Sequence, residues 1–527
     1  MTSSLAQGVV LVLLSFGLYA AYCHLLLSRT SALPPGPKGV PLIGNVYDVP
    51  KSQQWLTFQE MSRKYNSDVI SLNLMGTTVV VLNSLSAVEA LLEERSAIYS
   101  DRPDFTMLND LVGFTWHFAF MRYGPRWKGG LQPFKLPCSH YFAAYRKVLL
   151  QQFQPSQVLF HRPCELEAAR TLLQRLLDTP AKFEKHLRHM AGMVILSTTY
   201  GIDVLPENDP YVDISEKALH AMACAGDSGA YLVDSFPILR YVPDWFPGAG
   251  FKRQAKEWYN VVSAMPILPY QFVKDSLTNG TAKSSTASRA LEEIGDAEDA
   301  TEQEEILRGG LGACYEAGAD TTVSALGTFI LAMTLNPAVQ QTAQAAVDAA
   351  VGHGRLPDFS DNIPYVDAVV KEVLRWRPVL PLSIAHASTQ DDAYKGYHIP
   401  AGSVVLGNTW AIFHDESMYG PDTDKFIPGR WLKDGTINPA AKGTDAAFGF
   451  GRRICPGKDM AQWSVWITVA SILATFNISK SVDENGLTIE PSGEYTSGML
   501  CYPLPFKCSI TPRSDAAAEM IRATLLT

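Results

Sequence analysis

The sequence predicts a mainly α-helical protein with small β-sheets, carried behind one N-terminal transmembrane helix. Three observations lead there. From residue 5 to residue 27 no charged side chain appears apart from His24, a span long enough to cross a bilayer as a helix. Beyond it, VISLNL at 69–74 and TVVVL at 78–82 read as two short strands joined by a tight turn. Most of the remaining chain repeats its apolar residues at helical spacing.

The N-terminal span has a cleaved signal peptide as its alternative, but no charged region precedes it and no clear A-x-A site ends it. Arg29 and Lys38 follow the span, which places the bulk of the chain on the cytosolic side. The LPPGPKG run at 33–39 then predicts a stiff, extended spacer that holds the domain off the lipid. A polar stretch at 274–299 reads as a mobile surface loop. Thr301 and Glu304 have the spacing of a capping box, and the next proline is Pro337, so one long helix is expected from there to Leu335.

Bulk composition narrows the function. Of 527 residues, 47% are hydrophobic and only 18% charged, which suits one large core with few charges to spare. A net charge of −9 offers no nucleic-acid footprint. The eight cysteines have no C-x-x-C spacing, which argues against zinc and against a compact disulfide scaffold, and fits a reducing compartment.

The chemistry concentrates in FGFGRRICPG at 448–457. Gly449 and Gly451 can take backbone angles closed to other residues and let the chain pass close to a bulky partner. Pro456 suits the first position of a helix, which makes Cys455 its expected cap. Free N–H groups, the positive helix end and Arg453 would then favour thiolate over thiol, and a thiolate binds metal or attacks electrophiles. A flat ligand against glycine backbone suggests haem iron; the bland alternative is an inert cysteine at a loop boundary.

Three further motifs accompany it. AGADTT at 317–322 places a glycine and the pair Asp320–Thr321 inside an apolar helix, where the Thr321 hydroxyl can bond back to the Ala317 carbonyl and open the helix locally into a groove, and a ligand can use the room at Gly318. Asp320 and Thr321 could relay protons there, or be a solvent-facing acid beside a core threonine. KEVLR sets Glu372 and Arg375 three apart on one helical face, and FIPGRW supplies Arg430. A buried carboxylate shared by two guanidiniums would clamp the cysteine loop to the helix, a structural role.

With these four motifs in this order, the chain resembles the cytochrome P450 haem-thiolate monooxygenases, especially membrane-bound fungal ones, over nearly its whole length. The resemblance implies the cytochrome P450 fold, with residues 1–30 as membrane anchor, 31–50 as proline-rich linker and 51–527 as catalytic domain. It implies heme b (iron protoporphyrin IX) as cofactor, Cys455 as axial ligand to the haem iron, and Phe448, Gly451, Arg453 and Gly457 as the rest of the haem loop. Asp320 and Thr321 are the implied catalytic pair, delivering protons to the oxygen being activated. Glu372, Arg375 and Arg430 form the implied structural network, and His386 a haem-propionate contact.

Trp127 resembles the family's propionate-binding tryptophan, but position 131, where its arginine partner belongs, is Leu. Removing residues 129–143 would read RWKAYRK, with Trp127 and Arg146 at the expected spacing. This suggests either an unspliced intron carried into the sequence or a genuine surface loop.

The expected reaction is insertion of one oxygen atom from O2 into a hydrophobic small molecule: a terpenoid, steroid, fatty or polycyclic aromatic compound, in fungal secondary metabolism or xenobiotic oxidation. The expected partner is an NADPH-cytochrome P450 reductase in the same membrane, with the endoplasmic reticulum as the expected location. Residues 379–385 and 116–120 are expected to line a mostly apolar pocket. Two rivals remain open: a haem-thiolate isomerase or dehydratase needing no O2, and a non-catalytic haem carrier or gas sensor. Neither needs the Asp320–Thr321 pair.

Overall fold

A computed structural model describes residues 32–123, 153, 155–226 and 230–524. The span at 5–27, Trp127, Arg146 and the segment 129–143 lie outside the described residues.

The fold is mainly helical. The described helices of nine residues or more are α1 Gln54–Tyr65, α2 Pro155–Asp178, α3 Phe183–Tyr200, α4 Pro210–Ala225, α5 Gly250–Thr278, α6 Thr286–Ile294, α7 Ala300–Leu335, α8 Pro337–Val351, α9 Pro364–Trp376, α10 Lys458–Thr475 and α11 Asp515–Ala523. The hairpin read from the sequence is present: β1 Val69–Leu74 pairs antiparallel with β2 Thr77–Leu82 around Met75 and Gly76, both at positive φ. Positive φ at both turn residues matches the twist of the flanking strands.

The hairpin is only half of its sheet. β3 His386–Ala387 pairs antiparallel with β4 Val404–Gly407, and β4 lies parallel to β2, with Val79 opposite Val404. Over three hundred residues separate those partners, so no local pattern announces the pairing. A second ladder, β5 Phe476–Lys480 with β6 Cys508–Pro512, sits beside α7.

Helix α7 is the centre of the molecule, packed on α3, α4, α5 and α10. Among the described residues it is the one helix long and apolar enough to cross a membrane, yet its apolar stretch is 83% buried, which makes it a core helix. It ends at Leu335, with Asn336 as cap and Pro337 opening α8, as the Asn–Pro signal predicts. Its start differs from expectation. The helix begins at Ala300 without a side-chain cap, and Glu304 bonds Lys274 (2.7 Å) and Tyr270 (3.3 Å) of α5 instead of closing a capping box with Thr301.

The polar stretch at 274–299 is also more ordered than expected. α5 runs on to Thr278, and α6 is opened by a capping box between Ser285 and Ser288. Its buried face, with Ala287 and Ala290, packs on α7 and α3; alanine supplies apolar contact that a reading of polarity overlooks.

The proline run is not a free spacer. The Pro35 carbonyl accepts from Ser71 N–H (3.0 Å), the Pro34 carbonyl accepts from the Ser71 hydroxyl (2.5 Å), and a Cβ on Gly36 would stand 1.9 Å from the Ser71 carbonyl oxygen. The run packs on β1. Proline offers no N–H, but its carbonyl remains an acceptor, and the edge of β1 has donors to satisfy.

Candidate active site

The cysteine loop is built by two glycines with left-handed backbone. Gly449 (φ +85°) and Gly451 (φ +54°) turn the chain so that Cys455 N–H donates to the Phe448 carbonyl at 2.7 Å. The two differ in what they face. A Cβ on Gly451 would lie 2.1 Å from the Leu92 carbonyl oxygen, so this glycine presses on protein backbone. Gly449, Cys455, Pro456 and Gly457, with Phe448, line the main cavity, and a Cβ on Gly457 would stand 4.0 Å from the sulfur. The helix starts later than expected: α10 opens at Lys458 with Gly457 as its cap, leaving Cys455 and Pro456 in the turn before it. The first helical bond runs from Ala461 N–H to the Gly457 carbonyl at 2.9 Å, while the Cys455 N–H is taken by Phe448.

That cavity measures about 270 Å³ and runs between the cysteine loop, α7 and two connecting segments. Of the segments expected to line it, Val379, Leu380, Ser383 and Ile384 do, as do His117, Phe118, Ala119 and Phe120; Trp116 does not. On the α7 wall stand Cys314, Ala317, Gly318, Asp320 and Thr321. The Thr321 hydroxyl donates to the Ala317 carbonyl at 2.8 Å, as the sequence predicts, but the helix does not open there: it runs unbroken from Ala300 to Leu335, because the hydroxyl adds its bond to the turn without displacing the helical ladder. Gly318 serves packing: a Cβ there would come within 2.8 Å of Ile195 on α3.

Asp320 is 5% exposed and pinned from two sides. Arg188 of α3 donates to Oδ1 at 3.0 Å, and the Tyr502 hydroxyl donates to Oδ2. Burial raises its pKa to about 6, opposed by the charge of Arg188. Burial, and secondarily the nearby Cys455, push the Cys314 thiol above its ordinary range, so this second cysteine of the cavity stays protonated.

A cationic corner adjoins the cysteine loop. Arg453 donates to the carbonyls of Ser100 (2.9 Å), Phe118 (3.0 Å) and Met121 (2.7 Å). Arg102, wholly buried, donates to those of Ala119 (2.7 Å), Ile384 (2.8 Å) and Ala385 (2.7 Å). Carbonyls satisfy N–H groups without cancelling charge. The closest acid, Asp101, is held by Arg122 at 2.8 Å. Burial and then Arg453 therefore drive Arg102 well below the guanidinium range. His386, brought in by β3, donates Nδ1–H to the Tyr99 carbonyl at 2.7 Å. Burial, then Arg102, holds it far below the usual imidazole value. Arg102, Arg453 and His386 all line the cavity, and two buried or half-buried guanidiniums beside a neutral imidazole fit an anionic group there, as the propionates of haem b provide. The thiol and the apolar walls fit its iron and its ring. Sequence reading missed Arg102, which stands in an unremarkable SDRP stretch.

The structural triad is assembled. Arg375 donates to both oxygens of Glu372 (2.8 and 2.9 Å), and Arg430 to Oε1 at 3.0 Å, with Glu372 and Arg375 fully buried. Two donors join them that the sequence did not reveal: Ile427 N–H (2.8 Å) and Trp431 Nε1–H (2.9 Å). The other guanidinium nitrogens bond carbonyls of Phe413, Thr423 and Asp422. The clamp therefore holds the segment 413–431 to α9, and its bonds among the described residues do not reach the cysteine loop itself.

One polar pair in the cavity was also missed. His117 and Glu316 meet at 2.9 Å amid apolar and aromatic side chains.

Comparison with known proteins agrees with this architecture. The family model described as Cytochrome P450 matches residues 34–509. Cytochrome P450 monooxygenase 98 of Postia placenta is 43% identical over 519 residues, covering 97% of this chain and 96% of its own. Cytochrome P450 monooxygenase eriA of Hericium erinaceus is 42% identical, covering 98% of this chain and 96% of its own. Tryptamine 4-monooxygenase of Psilocybe cyanescens is 38% identical over 507 residues, covering 95% of this chain and 97% of its own. Likeness of this extent leaves one assignment: the chain belongs to the cytochrome P450 family, and is a monooxygenase with heme b as its cofactor.

Proposed function

We propose that this monooxygenase inserts one oxygen atom from O2 into an unactivated C–H or C=C bond of a largely hydrophobic small molecule. The observation that carries the reading is that Cys455 and the pair Asp320–Thr321 border one apolar cavity. Heme b, when bound, supplies thiolate-ligated iron for O2 activation. Cys455 would supply the thiolate that ligates the iron, with Phe448 and Gly457 beside it. Arg453, His386 and the newly found Arg102 would hold the propionates; Trp127 and Arg146 are proposed to join them, on family resemblance. Gly451 acts through the loop's shape, since Leu92 occupies its open side.

The chain's own part in the reaction is to move protons and exclude water. A carboxyl with a pKa of about 6 both takes up and releases protons near neutrality, which suits Asp320 to a relay. Arg188 and Tyr502 hold it in place. The Thr321 hydroxyl donates to Ala317 and keeps its oxygen free to accept a bond from a group in the cavity. A haem-thiolate isomerase needs neither residue, which favours the oxygenase reading.

Electrons are proposed to come from an NADPH-cytochrome P450 reductase in the same membrane. The span at 5–27 supports a single-pass anchor in the endoplasmic reticulum with the catalytic domain cytosolic. An exposed apolar surface adds to this: Ile238 (74%), Tyr241 (71%) and Trp245 (80%) stand out of the domain beside Phe236 and Phe246. A role in secondary metabolism draws support from the relative named as a tryptamine 4-monooxygenase.

The test is to express the full chain with a reductase in membranes. Expected are the red-shifted carbon monoxide band of thiolate-bound ferrous haem, its loss in Cys455→Ala, and NADPH-dependent oxygen consumption with hydrophobic compounds. Substrate conversion that proceeds without NADPH or O2 would overturn the reading.

A further inference from the structure

One polar pair in the apolar cavity lies outside the cationic corner. Glu316 of α7 and His117, which follows the short helical turn Phe114–Trp116, are 199 positions apart, and their side chains meet at 2.9 Å. Both are buried, with side chains 4% and 5% exposed, and both line the cavity. Aromatic rings enclose the imidazole, Phe118 stacked on it and Phe120 tilted at 5.0 Å.

The hydrogen bonds define the orientation of this pair. His117 Nδ1 accepts from the Ala119 N–H at 3.3 Å, which leaves Nε2–H to donate to Glu316 Oε2. The imidazole thus positions the carboxyl group. Among the described residues the buried Glu316 Oε1 has no hydrogen-bond partner. The described cations of the cavity are engaged elsewhere: Arg102 and Arg453 with backbone carbonyls, and Arg188, the cation beside α7, with Asp320. A buried acceptor without a donor is costly, and more so when charged. A ligand that brings a cationic donor satisfies that oxygen with the strongest bond a carboxyl group accepts.

We propose that Glu316, held by His117, is a specificity-determining anchor that selects, among hydrophobic molecules, those bearing a protonated amine. The ammonium bonds Oε1, and the hydrocarbon part lies along the apolar walls toward Cys455. This rests on the monooxygenase reading, and narrows its substrate class. A hydroxyl supplies the donor but not the charge, and ranks second.

The test uses the haem-loaded full-length protein and one aromatic skeleton ending in ammonium, hydroxyl, methyl or carboxylate. Dissociation constants come from calorimetry, and the Soret band reports whether an amine coordinates iron. A charge-assisted hydrogen bond predicts that the ammonium compound binds about 10- to 100-fold more tightly than the methyl compound, with the hydroxyl compound between them and the carboxylate weakest. Glu316→Gln keeps the shape and, with the carbon monoxide band retained, should bring the ammonium-to-methyl ratio to within about threefold. Equal affinities in the wild type, a preference that survives Glu316→Gln, or a Soret shift showing amine on iron would each overturn the anchor. Hydroxyl binding as tightly as ammonium would overturn the assignment to amines. A wild type that turns over with NADPH but shows no ammonium preference sinks the anchor alone; a wild type that shows the preference but no NADPH-driven turnover sinks the monooxygenase reading alone.

Discussion

Arg188 and Asp320 join α3 to α7 through a 3.0 Å bond from Nη1 to Oδ1, and the Tyr502 hydroxyl occupies the other carboxylate oxygen. The acid is therefore fixed in orientation while burial keeps it titratable near neutrality, at about 6. That value gives a signed expectation.

The folded value of Asp320 lies above the ordinary 3.8, so the native state holds this proton more tightly than the unfolded chain. Stability linked to it is fully present below pH 3.8 and is lost as pH rises through about 6. Across that window the wild type should lose roughly 1–3 kcal/mol relative to Asp320→Asn. Denaturation of both proteins at a series of pH values measures this; a constant difference would remove Asp320 as the titrating group.

Thr321→Ala should leave haem binding intact and divert electrons from product to hydrogen peroxide, because the hydroxyl is lost from the cavity wall. Thr321→Ser keeps the bond to Ala317 and should retain most of the coupling. Product formed per NADPH consumed is the measurement, and an unchanged ratio in the alanine variant would reduce Thr321 to a packing residue.

Glu372→Gln leaves two guanidiniums, Arg375 and Arg430, without their anion in a fully buried site. The expected cost is about 3–5 kcal/mol, with early loss of haem on urea titration. Trp431→Phe removes a single donor to the same carboxylate and should cost about 1–2 kcal/mol. If both variants unfolded alongside the wild type, the clamp would have no structural weight.

Truncation should show where the anchor ends and the domain begins. Removing residues 1–27 should release much of the protein from membranes, with the residue that stays bound held by the exposed surface around Trp245. Further removal through residue 39 strips the acceptors of Ser71 and should lower the melting temperature as well. Full membrane retention of the first truncation, even with Trp245 and Ile238 changed to serine, would show that neither segment is the contact.

The sequence by itself determined the hairpin, the long central helix with its Asn–Pro stop, the cysteine loop and the Glu372 triad. Each of these is a dense local constraint. Gly449 and Gly451 must adopt positive φ, proline cannot continue a helix, and Glu372 with Arg375 share a face three residues apart. Local rules leave a local record, and four such records in order carried the family.

Tertiary structure alone decided which atoms each motif meets. The open side of Gly318 is taken by Ile195, that of Gly451 by Leu92, and the proline run is bonded to Ser71. Arg102 joins Arg453 at the haem corner from 351 positions away, and His117 finds Glu316 across 199. Such pairs depend on how whole helices pack, and side chains distant in sequence carry no mark of their partners. The haem chemistry was legible because its loop is self-contained; the polar anchor of the pocket was not, because it exists only where two distant segments close on the same cavity.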